Sequence, residues 1–426
     1  MPDESRDGSR AASPSALEVL RSPSVAKFIV ANTLLYVGLM LQVATLGKHV
    51  YDISRRELDL GWLGLAEFLP IALLVFVVGA VADRFNRKTV SILAMGGELA
   101  SSLLLVAYAR TNPTSVVPIF GIALLYGASR AFVSPAMRAI GPAIAPEGGL
   151  PRMVAMYSAV WTGAMIVGPA ASGFLYAAAP WISYATSAGL IAGAMCVLAT
   201  LRVPTAVTDA ARAERPTLDA ALEGLRFIRR TPILLAAISL DLFAVLFGGA
   251  IALLPVIATE RLGVGDVAYG WLRAAAGIGA ASTAALLAVR PLRHRVGRRL
   301  LWAVAIFGAG TIVLGLTRTY WVAFLAVVVV HSADMVSVFV RGSVVPLVTP
   351  DDKRGRVSAV ENVFIGATNE LGAFQSGVTA QLVGVPATVV GGGIATLGVV
   401  AVWWRKFTAL RDVDNFDELE PTRLRD

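Results

Sequence analysis

Twelve apolar segments, each about 20 residues long, recur along the chain and limit its possible folds more than any other feature. An α-helix rises about 1.5 Å per residue, so roughly 20 apolar residues cross the hydrocarbon core of a bilayer. Transmembrane strands would instead be about ten residues long with strict alternation, which these segments lack. We number the segments α1–α12; they span residues 28–48, 60–81, 89–109, 116–137, 153–178, 181–201, 232–258, 268–289, 300–317, 320–345, 358–383 and 385–404.

Composition indicates the same class of protein. Apolar residues make up 56% of the 426 positions and charged residues 15%, against about 25% charged residues in soluble globular proteins. The single cysteine, Cys196, lies inside an apolar segment, so no disulfide framework is available. Three histidines, His49, His294 and His331, lie far apart without metal-ligand spacing. We therefore expect no metal site and no cofactor.

Polar stretches divide the segments into two groups of six. We expect a disordered cytoplasmic tail at 1–23, a six-helix bundle at 24–201, a cytoplasmic linker at 202–231, a second six-helix bundle at 232–404 and a cytoplasmic tail at 405–426. In the linker, apolar residues recur on one helical face beside three arginines. This pattern is typical of an amphipathic helix on the inner membrane surface.

The two groups of six resemble each other in sequence. The triplet GWL at 61–63, at the start of α2, recurs at 270–272, at the start of α8. At an offset of 204 residues, further matches pair Pro142, Pro146, Arg152, Ala155, Gly168, Ser172 and Gly173 with Pro346, Pro350, Arg356, Ala359, Gly372, Ser376 and Gly377. Such a duplication predicts a substrate path between the halves. The sequence thus predicts an all-α integral membrane protein with twelve transmembrane helices in two pseudo-symmetric six-helix bundles.

The distribution of basic residues predicts the orientation. Loops and tails on the side of both termini hold 28 Lys and Arg residues, and the loops on the other side hold six. Because cytoplasmic loops are enriched in Lys and Arg, we expect a multi-pass protein of the cell (inner or plasma) membrane with both termini in the cytoplasm. The net charge of +8 then reflects topology and not a nucleic-acid-binding surface.

The stretch GAVADRFNRK at 79–88 places an acid and three bases where α2 ends. Its residues Gly79, Asp83, Arg84, Arg87 and Lys88 fit the signature G-x-x-x-D-R-x-x-R-[RK] of the major facilitator superfamily, which the chain resembles over essentially its whole length. The stretches GLRFIRRTP, LLPVIATERLGVGDVAYGWLRAAAGIGA and RGRVSAVENVFIGATNELGAFQSG resemble the branch that contains enterobactin-type siderophore exporters and macrolide exporters.

The resemblance implies a gate on the cytoplasmic side. In the family, the acid of this signature meets the start of α11, here near Arg356, and holds the cytoplasmic side closed; a helix N-terminus favours an anion. The alternative is a positive-inside anchor, which explains the bases but not Asp83. The corresponding second-half segment, RPLRHRVGRR at 290–299, keeps the bases and has no acid in an obvious place.

Helix α5 carries a second motif of the family's exporters. Gly163, Gly168, Pro169 and Gly173 partly fit its glycine-rich GP-x-x-GG pattern. Small residues and a proline suit a helix face that packs closely and bends against a neighbour. The motif favours export over uptake, and the alternative is helix packing alone.

Ionisable residues inside the apolar segments are costly in a bilayer and are therefore functional candidates. In the family, α1, α4, α7 and α10 line the central cavity, so Asp241, Asp334 and Arg130 are best placed to bind substrate or protons. The alternative for each is a static ion pair between helices, and Glu98 and Glu370 suit helix packing. The full set is Glu67 in α2, Glu98 in α3, Arg130 in α4, Asp241 in α7, His331 and Asp334 in α10, and Glu370 in α11.

These features predict a secondary active transporter that exports a small organic solute, either a drug-like compound or a siderophore, by proton antiport with alternating access. No G-x-x-x-x-G-K-[ST] loop is present to use ATP, and no catalytic motif indicates an enzyme. The alternatives are a proton-coupled uptake symporter of the same fold and a non-transporting scaffold or lipid-handling protein. Expected partners are the organic substrate, protons and the lipid bilayer, with no nucleic acid, and the chain is expected to be a monomer.

Overall fold

The computed structural model describes residues 16–203 and 218–421, apart from the side chains of residues 16, 17, 75, 76, 79, 80, 82–84, 218, 220 and 221. In the described chain, every apolar segment of the sequence is a long helix. The helices are α1 Pro23–Ser54, α2 Glu57–Arg84, α3 Arg87–Ala109, α4 Val117–Ile144, α5 Leu150–Ala178, α6 Pro180–Ala199, α7 Pro232–Phe247, α8 Asp266–Val289, α9 Val296–Leu316, α10 Tyr320–Val348, α11 Arg354–Val383 and α12 Val385–Lys406. After a break at Gly248 and Gly249, α7 continues in short helical turns to Arg261.

The predicted fold class is confirmed. Ten helices in the described part of the chain are long and apolar enough to cross a membrane. Of the other two, α11 has 30 residues and carries more polar side chains, and α2 has 28 residues, several of whose side chains lie outside the described set. These two helices pack against each other between the halves of the molecule, where polar groups meet protein and not lipid.

The halves, α1–α6 and α7–α12, pack in pseudo-equivalent ways. Helix α3 packs on α4 and α6 in the first half, as α9 packs on α10 and α12 in the second. Two helix pairs join the halves, α2 with α11 and α5 with α8. The duplication relates α2 to α8 and α5 to α11. It therefore relates the α2–α11 contact to the α8–α5 contact, and the same type of contact occurs at two places.

Glycines form the closest points of both contacts. A Cβ atom added at Gly270 in α8 would lie 2.7 Å from the Cα of Gly173 in α5, and one added at Gly377 in α11 would lie 3.0 Å from the amide nitrogen of Gly61 in α2. Gly61 and Gly270 belong to the two GWL triplets, and Gly173 and Gly377 match at the offset of 204 residues. The repeated glycines of the sequence are therefore each other's partners across the interface.

The predicted linker helix is present at Leu218–Arg230 and docks on the second half. Phe227 and Ile228 are buried in the core of that half, while Arg226 and Arg229 are exposed. Gly224 lies against the backbone of Arg356, which brings the helix onto the start of α11. Its apolar face is thus covered by protein at these positions.

Both predicted tails are partly ordered. Residues 1–15 and 422–426 lie outside the described residues, but Ala16–Leu20 is helical where the sequence analysis expects disorder. The reason is burial, because Val19 is completely buried in the core of the first half. After α12, the chain turns back, and the backbone amide of Gly297 donates to the carbonyl of Val413 (3.1 Å).

Helix α4 offers a matched test of close packing. A methyl group at Gly127 would overlap the backbone of Glu67 in α2, whereas one at Gly121 meets nothing within 4 Å. We expect Gly127→Ala to destabilise the protein by about 1–3 kcal/mol through overpacking, and Gly121→Ala to change its stability by less than about 1 kcal/mol. The midpoint of thermal unfolding in detergent measures both. Equal midpoints for the two variants would contradict the close approach of α2 and α4.

Candidate functional site

We name the two ends of the molecule by the chain termini. The terminal face is the end at which α1 begins and α12 ends, and the far face is the opposite end. The glycine contacts between the halves lie toward the far face, since they involve the first turns of α2 and α8 and the later turns of α5 and α11. The far face is therefore closed by protein–protein packing.

A buried ion cluster reinforces this closure. The Nζ of Lys48 in α1 lies 2.5 Å from the Oδ2 of Asp52 and 3.0 Å from the Oδ1 of Asp266 at the start of α8. The side chain of Lys48 is only 7% exposed. The hydroxyl of Tyr176 in α5 donates to Asp52 (2.8 Å). Lys48 thus joins carboxylates from both halves, and its own side chain is shielded from water.

Two tyrosines add hydrogen bonds across the same interface. Tyr51 in α1 donates to the carboxylate of Glu260 beyond α7, and Tyr269 in α8 donates to the carbonyl of Ala44 in α1 (3.0 Å). The sequence analysis does not identify this cluster. The available signal was the spacing of Lys48 and Asp52, which places both on one face of a helix that extends to Ser54.

On the terminal face, two bases of the 79–88 signature bind within the first half. Arg87 donates to the carbonyl of Ala139 in α4 (3.0 Å), and Lys88 donates to the carbonyls of Ala199 and Leu201 at the end of α6 (2.6 and 2.8 Å). Cations at these carbonyls complement the negative end of a helix dipole.

The remaining signature side chains, those of Gly79, Asp83 and Arg84, lie outside the described residues. The expected partner region at the start of α11 is occupied in another way. Arg356 donates to Glu223 of the linker helix (2.6 Å). The Asp83 latch therefore stays a prediction.

Acids near the C-terminus of the chain contact the second-half segment at 290–299. Asp414 lies 3.1 Å from the Nδ1 of His294 and accepts a hydrogen bond from the backbone amide of Arg295 (2.9 Å), and Asp412 lies 3.8 Å from Arg298. The bonds from His294 and Arg295 hold the pKa of Asp414 below its usual range. The acid that this segment lacks in sequence is supplied by residues about 120 positions later.

The α5 motif divides into packing and non-packing positions. A Cβ at Gly168 would lie 2.6 Å from the Cβ of Met40 in α1, and Gly173 contacts α8 as described above. Pro169 is buried beside them. A Cβ at Gly163 would meet nothing within 4 Å, so close packing does not explain that glycine.

Three charged side chains join the helices of the second half. Arg341 in α10 lies 2.9 Å from Asp241 in α7, with both side chains 6% exposed, and 3.5 Å from Glu361 in α11. This is the static pairing that the sequence analysis gives as the alternative for Asp241. A buried pair of this kind ties helices together, because removing one partner leaves an uncompensated charge.

The other acid of this half lies at a cavity. Asp334 and His331 in α10 line a cavity of about 110 Å³ at the break in α7, beside Thr311 and Asn369. The rest of the lining is mostly apolar. Among the described residues, Arg341 pairs with Asp241 and Glu361 and not with Asp334. The carboxyl group of Asp334 therefore remains available to a ligand or a proton.

Charges from both halves meet at the interface between them. Arg130 in α4 lies 3.9 Å from the Oε2 of Glu67 in α2. Glu370 in α11 and Arg273 in α8 are close enough to act electrostatically on Glu67. Glu370, which the sequence analysis treats as a packing acid, thus belongs to an inter-half charge cluster.

Comparisons with known proteins agree with this architecture. The profile of a family described as "Transmembrane secretion effector" matches residues 14–424. The chain is 26% identical over 408 residues to the uncharacterized MFS-type transporter YfiS of Bacillus subtilis (strain 168), covering 90% of this chain and 93% of that one. It is 28% identical over 390 residues to the multidrug efflux pump Tap of Mycolicibacterium fortuitum, covering 86% and 91%.

A solved structure shares the fold. A bacterial homolog of the human lysosomal transporter Spinster, crystallised in an inward-facing and unoccupied conformation, superposes with a TM-score of 0.70 at 15% identity. The match covers 92% of this chain and 98% of that one.

The contribution of the Lys48 cluster to closure of the far face can be tested by measuring the distance between the two halves. Lys48→Met leaves Asp52 and Asp266 without their shared cation, so we expect the far-face-closed population to fall by about tenfold relative to open forms. Arg55→Met is the control, because Arg55 is 56% exposed and 3.8 Å from Asp52, and exposed pairs contribute little.

The measurement is the distance between spin labels at Asn112 and Arg318, in far-face loops of the two halves, in a Cys196→Ser background. The distance should lengthen in Lys48→Met only. An unchanged distance distribution in Lys48→Met would show that glycine packing alone closes this face.

Proposed function

The chain belongs to the major facilitator family of transmembrane secretion effectors, and from this premise we propose that it exports a small organic solute by proton antiport with alternating access. It is a multi-pass membrane transporter and not an enzyme. The export direction, the proton coupling and the substrate class are the proposal.

The observation that carries the proposal is that the contacts described between the halves concentrate at the far face. Glycine contacts and the Lys48 cluster join the halves there, whereas Arg87, Lys88 and Arg356 at the terminal face bind within their own half or to the linker helix. With the terminal face in the cytoplasm, as the basic residues predict, this arrangement is the one that receives a solute from inside the cell.

The solute then meets polar groups of both halves. The inter-half cluster of Glu67, Arg130 and Glu370 and the cavity at Asp334 lie along the helices that surround the interface. The opposite signs of this cluster suit an amphipathic organic compound with a charged group. Similarity to a multidrug efflux pump supports a drug-like substrate, and the motif resemblance keeps a siderophore as a further candidate.

Proton coupling needs an acid that changes its charge during the cycle. Asp241 is compensated by Arg341 in this conformation, whereas Asp334 lines a cavity and forms no ion pair with a described cation. We assign proton exchange to Asp334 in the first place. Protonation after solute release outside would favour the return of the empty carrier.

Inside-out vesicles with an imposed proton gradient and a pH-sensitive dye test this function. Addition of a lipophilic cation, a macrolide or a catecholate siderophore should collapse the gradient in the wild type. We expect Asp334→Asn to reduce the collapse by about tenfold or more, and Asp241→Asn to lower the folded yield, because Arg341 loses its closest partner.

The controls separate the alternatives. Substrate movement that leaves the gradient intact in wild-type vesicles would rule out proton antiport, and solute accumulation in the opposite direction with protons would establish uptake. A non-transporting scaffold would show no solute movement and no collapse of the gradient in the wild type or in either variant.

Orientation is tested by single cysteines in the Cys196→Ser background. A cysteine at Ser115, in the loop between α3 and α4, should react with a membrane-impermeant maleimide in intact cells. A cysteine at His294, in the loop between α8 and α9, should react only after the cells are broken. The reverse labelling would place the terminal face outside and overturn the direction of export.

A further inference from the structure

Glu98 in α3 is a completely buried acid that has no hydrogen-bond partner among the described residues. The residue is 0% exposed, and neither of its carboxylate oxygens has a hydrogen-bond partner in the described part of the protein. Burying an ionised carboxylate without a partner costs far more than burying the neutral acid. Burial in this conformation therefore favours the neutral, protonated form of Glu98.

The polar layer around Glu98 has unused hydrogen-bonding capacity. Ser102, one turn later in α3, donates to the Oε1 of Gln42 in α1 (2.5 Å), and Ser187 in α6 donates to the carbonyl of Gly38 (2.8 Å). The Nε2 of Gln42 is buried and has no hydrogen-bond partner in the part of the chain that the structure describes. Buried polar groups in native proteins are nearly always paired. The unpaired Glu98 oxygens and Gln42 Nε2 therefore indicate a polar layer that changes its hydrogen-bond partners or takes up water.

Charged and titratable groups face Glu98 from several helices. They are Arg130 and Tyr126 on α4, Tyr36 on α1 and, through Arg130, Glu67 on α2. Helix α6, which also packs on α3, carries only Tyr184 and Cys196 as titratable residues. Among the described residues, Arg130 is thus the one cation that acts on Glu98, and in this conformation it lies 3.9 Å from Glu67.

We propose that Glu98 is a second proton-binding site of the transport cycle, which releases its proton when Arg130 turns from Glu67 toward Glu98. The O–H bond of the carboxylic acid breaks, the proton passes to a water molecule that enters the polar layer, and the guanidinium compensates the carboxylate that remains. This inference rests on the proposed proton antiport and adds the acid in α3 to it. A solute that binds Glu67 would free Arg130, which links solute binding to proton release.

Transport of ethidium, a lipophilic cation, into vesicles distinguishes loss of proton coupling from loss of solute movement. In Glu98→Gln we expect gradient-driven ethidium accumulation to fall by about tenfold or more while exchange without a gradient continues. Ser101→Ala is the matched control, since Ser101 is equally buried on the same turn of α3 and should leave both rates unchanged. If wild-type vesicles neither move ethidium nor use the gradient, the proposed function is wrong for this solute class. If Glu98→Gln accumulates ethidium normally, only the inference about Glu98 is wrong.

An infrared difference spectrum of purified protein with and without ethidium gives an independent readout. The carbonyl band of a protonated acid should disappear on ethidium binding in the wild type and should be missing from the difference spectrum of Glu98→Gln. If Glu98→Gln does not fold, Glu98→Asp replaces it, and the band should shift with the shorter acid. If ethidium leaves the protonated-acid band unchanged, Glu98 is a permanently neutral packing residue and the proposal is wrong.

Discussion

The close approach of α2 to α11 and of α5 to α8 is the contact on which the two-half structure depends. Lipid tails are as apolar as leucine, so helices in a bilayer associate through tight packing and polar contacts and not through the hydrophobic effect. Glycines at positions 61, 173, 270 and 377 permit the packing, and the Lys48 cluster supplies the polar contacts. Both act at one face, which leaves the other face able to open by a rocking motion.

The pairing of charges divides the buried ionisable residues into two kinds. Asp241 and Glu361 share the guanidinium of Arg341, and the two ion pairs join three helices. Asp334 lies at a cavity, and Glu98 is buried with both oxygens unpaired. In a low dielectric, burial without a partner favours the neutral form of an acid, so we assign the proposed proton exchange to the acids of the second kind. Arg130, between Glu67 and Glu98, is placed to change which acid is compensated.

Much of the fold could be predicted from local features, because segment length and apolarity report the bilayer directly. All twelve segments are helices in the described chain, and the repeated glycines mark the true contacts between the halves. The site was harder to predict. Asp241 and Asp334 look alike in sequence as single acids in apolar helices, and only the position of Arg341 separates a paired acid from an available one. Lys48 and Asp414 escaped prediction because their partners are 218 and 120 residues away.

The sequence by itself determined the number of membrane crossings, the duplication and the family motifs, since each depends on residues close together in the chain or on an exact repeat. The tertiary structure alone decided which charges are compensated, which face is closed and how the linker helix and the C-terminal segment dock. Those properties depend on distances of a few ångströms between helices that are far apart in sequence. At such distances the Coulomb energy in a low dielectric changes steeply, and no local pattern encodes it.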